Sequence, residues 1–231
     1  MLINAREHSH ARITPRDNGL MLGQHPSLPL TIQDVETVAR HVPVVLPRNS
    51  TSSTLPHALI PQLDGETDLL QGYVPSLLRE YPFSLLQEGV TANEDASVQL
   101  APVLWADPQA PHWSQDGYRL FDEQGQPTSY LEGVVSRLMG LKQHVDRTHH
   151  LIALLHRAEV LTPIHVRHQD TWWPCYRIET ANLSDRLESL DDPLAGQAAL
   201  FAMALADSMA SLTAVDNTDD VPEARSRLWT W

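Results

Sequence analysis

The amino-acid sequence predicts an α+β fold: a mixed or antiparallel sheet covered by a long helix at about 129–158 and a C-terminal helix at about 193–214. Three observations predict it. Apolar residues recur at helical spacing from Tyr130 to Ala158 with no proline among them. Val160–Val166 and Trp172–Ile178 are β-branched and aromatic runs joined by a short polar segment, the pattern of a hairpin. VPVVLP, residues 42–47, is a continuous β-branched run suited to a buried strand.

Taken in order, residues 2–13 alternate loosely and predict an edge strand, with His8 and His10 on a solvated face among Arg6, Glu7 and Arg12. Residues 14–30, rich in Pro, Gly and Asn, predict a loop. Thr31 followed by Asp34 has the form of a capping box with Asp in place of Glu, and Ile32, Val35, Val38 and Ala39 then predict a helix from 32 to about 41. After the 42–47 strand and a polar loop at 48–55, His57–Leu63 reads as a second strand, closed by Asp64-Gly65.

In YVPSLLREYPF, residues 73–83, Pro75 suits a first helical turn. Tyr81-Pro82 stops that helix, because a residue before proline is pushed out of the αR region. Phe83–Leu86 then reads as a strand, Glu88–Ala96 as an acidic loop and Val98–Ala106 as a strand; 107–119 carry no pattern. A turn at Glu123–Gln126 and an N-cap at Thr128 introduce the long helix, whose polar run Asp146–His149 is the one place where it could break. Beyond the hairpin, Asn182 or Ser184 caps a short helix ending near Leu190. Asp191-Asp192-Pro193 begins the final helix, with acids at its positive end. Residues 1–214 read as one domain, and 215–231 as an acidic linker with an exposed tail ending in Trp229-Thr230-Trp231.

Charge narrows the partners. The net charge is −13, and of the sixteen basic residues only Lys142 is lysine, which disfavours both nucleic acid and anionic lipid. The single cysteine, Cys175, excludes an intramolecular disulfide. With neither the apolar core of a signal peptide nor a run approaching ~18 apolar residues, the expectation is a soluble cytoplasmic protein.

Three segments resemble, in the same order, the bacterial SapC-like family: YVPSLLREYPF, then LFDEQGQPTSYL at 120–131, then the run from Leu161-Thr162-Pro163 through CYRIETANLSDRL to the alanine-rich helix. LPLTIQDVETVARHVPVVL, residues 28–46, is similar to that family's N-terminal helix and strand, so the resemblance spans about residues 25–213. It implies an accessory role with a protein partner, because the family name comes from surface-layer biogenesis and its members are associated with outer-membrane nutrient receptors and halogenase-like flavoproteins. A permease label used for some members does not suit a chain without an apolar span. Cys175, His149-His150 and the Trp-Thr-Trp tail depart from the family pattern.

Several groups are candidates for chemistry. His144, Asp146, His149, His150 and His156 share the long helix, and Asp146 lies at i, i+3 and i, i+4 from His149 and His150, spacings that permit one metal. No matching Glu-x-x-His accompanies this Asp-x-x-His, and a solvated or interface face with helix-stabilising Asp-His pairs is the commoner use of such a pattern. Cys175 would be a nucleophile if His165 or His168 lay within reach, whereas a lone cysteine is more commonly buried. Asp122-Glu123 and Asp191-Asp192 are explained by turn and helix-start chemistry. The tryptophans and tyrosines offer surface for a groove, although core packing is their larger use. Tyr73, Arg79 and Tyr81 are the candidate ligand contacts, Arg79 as a clamp for carboxylate or phosphate. Trp229 and Trp231 are the candidate partner contacts. The expected function is a non-catalytic binding protein acting through a protein partner, with homo-oligomerisation open and no cofactor assigned. The alternative is an enzyme holding a metal or an organic ligand near the histidine-rich helix.

Overall fold

The computed structural model describes residues 1–16, 26–48, 54–61, 70–90 and 99–215. In chain order the first elements are α1 (Ala5–His8), β1 (Arg12–Ile13), β2 (Ser27–Pro29), α2 (Ile32–Val38), β3 (Val44–Pro47), β4 (His57–Leu59) and α3 (Ser76–Arg79). There follow β5 (Phe83–Val90), β6 (Gln99–Ala106), β7 (Tyr118–Arg119), α4 (Ser129–Arg157), β8 (Leu161–His168), β9 (Thr171–Ile178), α5 (Leu183–Glu188), α6 (Ala195–Met209) and β10 (Thr213–Val215). The chain is α+β, and all strand pairings among the described residues are antiparallel. The described residues of Met1–Asn18 and Leu78–Gln143 form one compact unit, and those of Gly19–Leu77 and His144–Trp231 a second.

In the first unit β5 and β6 run from Phe83↔Ala106 to Val90↔Gln99. The acidic stretch from Glu88 is therefore ladder rather than loop as far as Val90, because Gly89 and Val90 complete pairs with Leu100 and Gln99. The edge strand expected at 2–13 is also replaced. Leu2 bridges Trp105, but Asn4 Oδ1 then accepts the Glu7 N–H at 3.0 Å and starts the helical turn α1. An Asn followed three residues later by Glu is a cap signature that outweighs loose alternation. Arg12–Ile13 pairs with β7, where Arg12 Nη1 donates to the Gly117 carbonyl at 3.1 Å, and Ile13 also bridges Trp113. Any Cβ on Gly117 would overlap the Ile13 carbonyl, so this close approach requires glycine.

The turn before α4 forms as the sequence predicts. Asp122 Oδ1 accepts the Gln124 and Gln126 N–H groups at 2.9 and 2.8 Å, and Gly125 takes φ +76°. Thr128 caps the helix, its carbonyl accepting the Glu132 N–H at 2.9 Å. The helix then runs unbroken through Asp146–His149.

In the second unit six strands lie in the order β10-β8-β9-β3-β4-β2. The predicted hairpin is β8–β9, paired from Leu161↔Ile178 to His168↔Thr171. Alanine-rich α6 packs on β3 and β9 through Ala198, Phe201, Ala202, Leu205 and Met209, an i, i+3, i+4 stripe. Ser208 adds a polar tie, its Oγ accepting the Val44 N–H at 2.8 Å. The helix stops at Met209, short of the expected 214, and Thr213–Val215 instead pairs with β8 at Ala214↔Val166. An open sheet edge recruits these residues, and helical periodicity cannot register that edge. β4 stops at Leu59, with the described Ile60 and Pro61 already outside the strand expected to reach 63, and residues 62–69 lie outside the described residues. No helix among the described residues is long and apolar enough to cross a membrane.

Candidate functional site

Two polar constellations stand out, one in each unit. In the second unit Asp34, at N3 of α2, is 0% exposed. Its Oδ2 accepts the Thr31 N–H at 3.0 Å and the Thr31 hydroxyl at 2.8 Å, the reciprocal arm of the predicted capping box. Its Oδ1 accepts the Tyr73 hydroxyl at 2.7 Å, the Ser76 N–H at 3.0 Å and the Ser76 hydroxyl. Five donors saturate the carboxylate, which accounts for its burial. Thr148 of α4 completes the arrangement: its Oγ1 donates to the His144 carbonyl at 2.7 Å and accepts the Ile32 N–H at 2.8 Å, capping α2 from another helix. Tyr73, a candidate ligand contact, is thus a structural tie between the YVPS turn and α2.

In the first unit Arg79 and Tyr81 line a small open cleft of about 150 Å³ together with Glu80, His112, Tyr130 and Arg137. Arg16 lines it as well. The Arg137 Nε donates to Glu80 Oε1 at 2.8 Å, and the Glu80 side chain is only 12% exposed. The Tyr81 hydroxyl donates to Asp107 Oδ2 at 2.6 Å, and burial, then this bond to Asp107, hold its phenol well above the ordinary value. His112 sets its ring edge-on to Tyr81 at 5.3 Å, and burial, with Arg16 beside it, pushes its imidazole down. Tyr130 stacks on Tyr118 at 4.9 Å, its phenol raised first by burial. Arg79 and Tyr81 were legible as candidates from one motif. His112, Tyr130 and Arg137 reach them only through folding, and no local signal marks those three.

The histidine-rich face of α4 is partly solvated, with Asp146, His150 and His156 exposed. His150 Nε2 lies 3.2 Å from Asp192 Oδ2, and Asp192, whose Oδ1 accepts the Leu194 N–H at 3.0 Å, is held below the usual carboxylate range first by that N–H and then by His150. His156 packs edge-on to Tyr176 at 5.3 Å. Asp146, His149 and His150 join no group of three metal-ligating side chains among the described residues.

Cys175 is 0% exposed in the cluster of Val45, Leu59, Ile164, Val166 and Trp173, and burial pushes its thiol up to about 12. It pairs with Ile164, so His165 projects from the opposite face, while His168 is four residues, ~13 Å, further along the ladder. Neither histidine is placed to generate a thiolate. Trp229 and Trp231 lie outside the described residues.

The SapC family model matches residues 3–179, from before α1 through β9. Neither the curated proteins nor the solved structures offer a match.

Proposed function

Since the chain belongs to the SapC family, we propose that it is a non-catalytic cytoplasmic accessory protein that engages a protein partner in a bacterial envelope or outer-membrane nutrient-uptake system. The observation that carries the partner reading is the outer face of α6. Leu200 is 72% exposed and Met203 50%, with Gly196 and Ala199 beside them, while the opposite stripe fills the core. Large apolar side chains presented together on one helix face, free of lysine and arginine, suit an interface centre rather than solvent. Trp229 and Trp231 supply a second contact in this reading.

The non-catalytic part is supported by the way reactive groups are used. The Asp34 carboxylate is consumed by five internal donors, Cys175 is an inert core thiol, and His150 and His156 anchor α4 to its neighbours.

The test is affinity co-purification of the full chain from its own host, with light-scattering mass measured in parallel. The Leu200→Asp/Met203→Asp variant and deletion of Arg225–Trp231 serve as controls. A stoichiometric heterologous protein lost from the α6 variant is the expected result. Retention of the same protein by both variants, or its absence from the wild type, overturns the reading.

A further inference from the structure

The exposed stripe of α6 has a complement elsewhere in the same chain. Gly196, Leu200, Met203 and Asp207 recur at i, i+4, i+7 and i+11, so they lie on one face of the helix. All four are exposed, Leu200 by 72% and Met203 by 50%, while Phe201, Ala202 and Leu205 fill the core. The stripe is apolar along its middle and acidic at its C-terminal end, where Asp207 adds to the partial negative charge of the last helical carbonyls. No lysine or arginine of α6 offsets it. Beyond Val215 the acids Asp216, Asp219, Asp220 and Glu223 come first, and then Arg225-Ser226-Arg227-Leu228-Trp229-Thr230-Trp231. Residues 225–231 are cationic and aromatic, and the stripe is acidic and apolar.

We infer that residues 225–231 dock on the outer face of α6 in the free chain, as an internal occupant that any partner must displace. Register carries the assignment. In an extended segment alternate residues share a side and recur every ~6.6 Å, so Arg227, Trp229 and Trp231 face one way, with ~13 Å from the first to the last. Along α6 the rise from Asp207 back to Met203 is ~6 Å, and to Leu200 ~10.5 Å. Arg227 placed at Asp207 therefore brings Trp229 to Met203 and Trp231 to the end of the stripe at Leu200. The contacts formed are a guanidinium on a carboxylate and a thioether on an aromatic ring. Length permits the docking. Leu200 lies ~14 Å of helix from Met209, and the chain from Met209 to Val215 adds at most ~22 Å, whereas Val215 to Trp229 spans up to ~46 Å. A second copy presenting the same face would bring no cation to Asp207, whereas the tail brings Arg225 and Arg227. The docking belongs to the free chain, and only its consequence, competition with a partner, rests on the partner reading of α6. A partner that takes the face releases Trp229 and Trp231, which then supply the second contact of that reading.

The test is methionine oxidation of the full chain by dilute hydrogen peroxide, followed peptide by peptide by mass spectrometry. Met139 on α4 is 42% exposed and serves as the internal reference for Met203. Met203 should oxidise at least about fivefold more slowly than Met139, the protection reached when roughly four-fifths of the chains are closed. Trp229→Ala/Trp231→Ala and deletion of Arg225–Trp231 should each bring the two rates together, with the Met139 rate and the melting temperature unchanged. Asp207→Arg should lower the protection by about twofold or more, the scale of one exposed ion pair, and Asp207→Arg/Arg227→Asp should restore it. Four outcomes overturn the proposal: equal rates at Met203 and Met139 in the full chain; protection that survives loss of both tryptophans; protection indifferent to Asp207→Arg; or protection that rises with protein concentration alongside a doubled light-scattering mass, which makes the cover a second copy. The oxidation needs no partner, so a chain that co-purifies with nothing can still show a protected Met203, and a chain with an unprotected Met203 can still bind a partner.

Discussion

Removing the Asp34 carboxylate tests the claim that the YVPS motif acts as a structural clasp. In Asp34→Ala the Thr31 and Ser76 N–H groups, both their hydroxyls and the Tyr73 hydroxyl lose their acceptor at a fully buried position. A hydrogen bond to a charged group contributes about 1.5–3 kcal/mol, and each buried donor left unsatisfied costs about 1–3 kcal/mol. Hydroxyls can rotate to new acceptors, so the two backbone N–H groups set the lower bound, and a loss of at least about 3–4 kcal/mol is expected. Asp34→Asn keeps an acceptor toward Tyr73 and Ser76 but turns an amide NH₂ toward the Thr31 N–H, for about 2 kcal/mol. Tyr73→Phe removes a single donor from a half-buried site and should cost about 1–2 kcal/mol. Urea denaturation followed by circular dichroism measures all three. Tyr73→Phe combined with Asp34→Asn should be non-additive by about 0.5 kcal/mol or more, since the two share a bond. If Asp34→Ala and Tyr73→Phe both lay within about 0.5 kcal/mol of wild type, the clasp would be wrong.

Three further outcomes follow from the same geometry. The Cys175 thiol should resist a disulfide reagent at about pH 8 in the native chain and react with one equivalent on unfolding; its folded value of about 12 lies above the ordinary 9.0, so above that ordinary value the unfolded state alone releases the proton and stability should fall as pH rises toward 12. His57, buried against Ser27 Oγ at 3.1 Å, is pushed down to about 4 by burial, so between pH 6.5 and 4 only the unfolded state gains a proton. Stability should drop by about 3 kcal/mol across that window, and His57→Gln should flatten the pH profile of the urea midpoint; an unchanged slope contradicts it. Gly117→Ala drives a methyl into the Ile13 carbonyl and should cost more than about 2 kcal/mol in thermal melts, whereas Gly140→Ala, with open space at its Cβ inside α4, should be neutral or stabilising by up to about 1 kcal/mol.

What the sequence by itself determined is everything that a short window encodes. The helical period fixed α4, the β-branched runs fixed β3 and the β8–β9 hairpin, Thr31-x-x-Asp34 marked the start of α2, and three motifs declared the family. Each of these depends on neighbours within a few residues, whose periodicity and capping act before any long-range contact forms. Tertiary structure alone decided the rest. Asp34 became the acceptor for Tyr73 and Ser76 some forty residues away, Thr148 capped a helix to which it does not belong, and Thr213–Val215 left the helical pattern for a free sheet edge. Arg137 and His112 reached the motif's Arg79 and Tyr81 in the same way. Burial makes that difference: a polar group taken out of water must find its partner wherever the chain brings one, and an open strand edge accepts whichever segment returns to it.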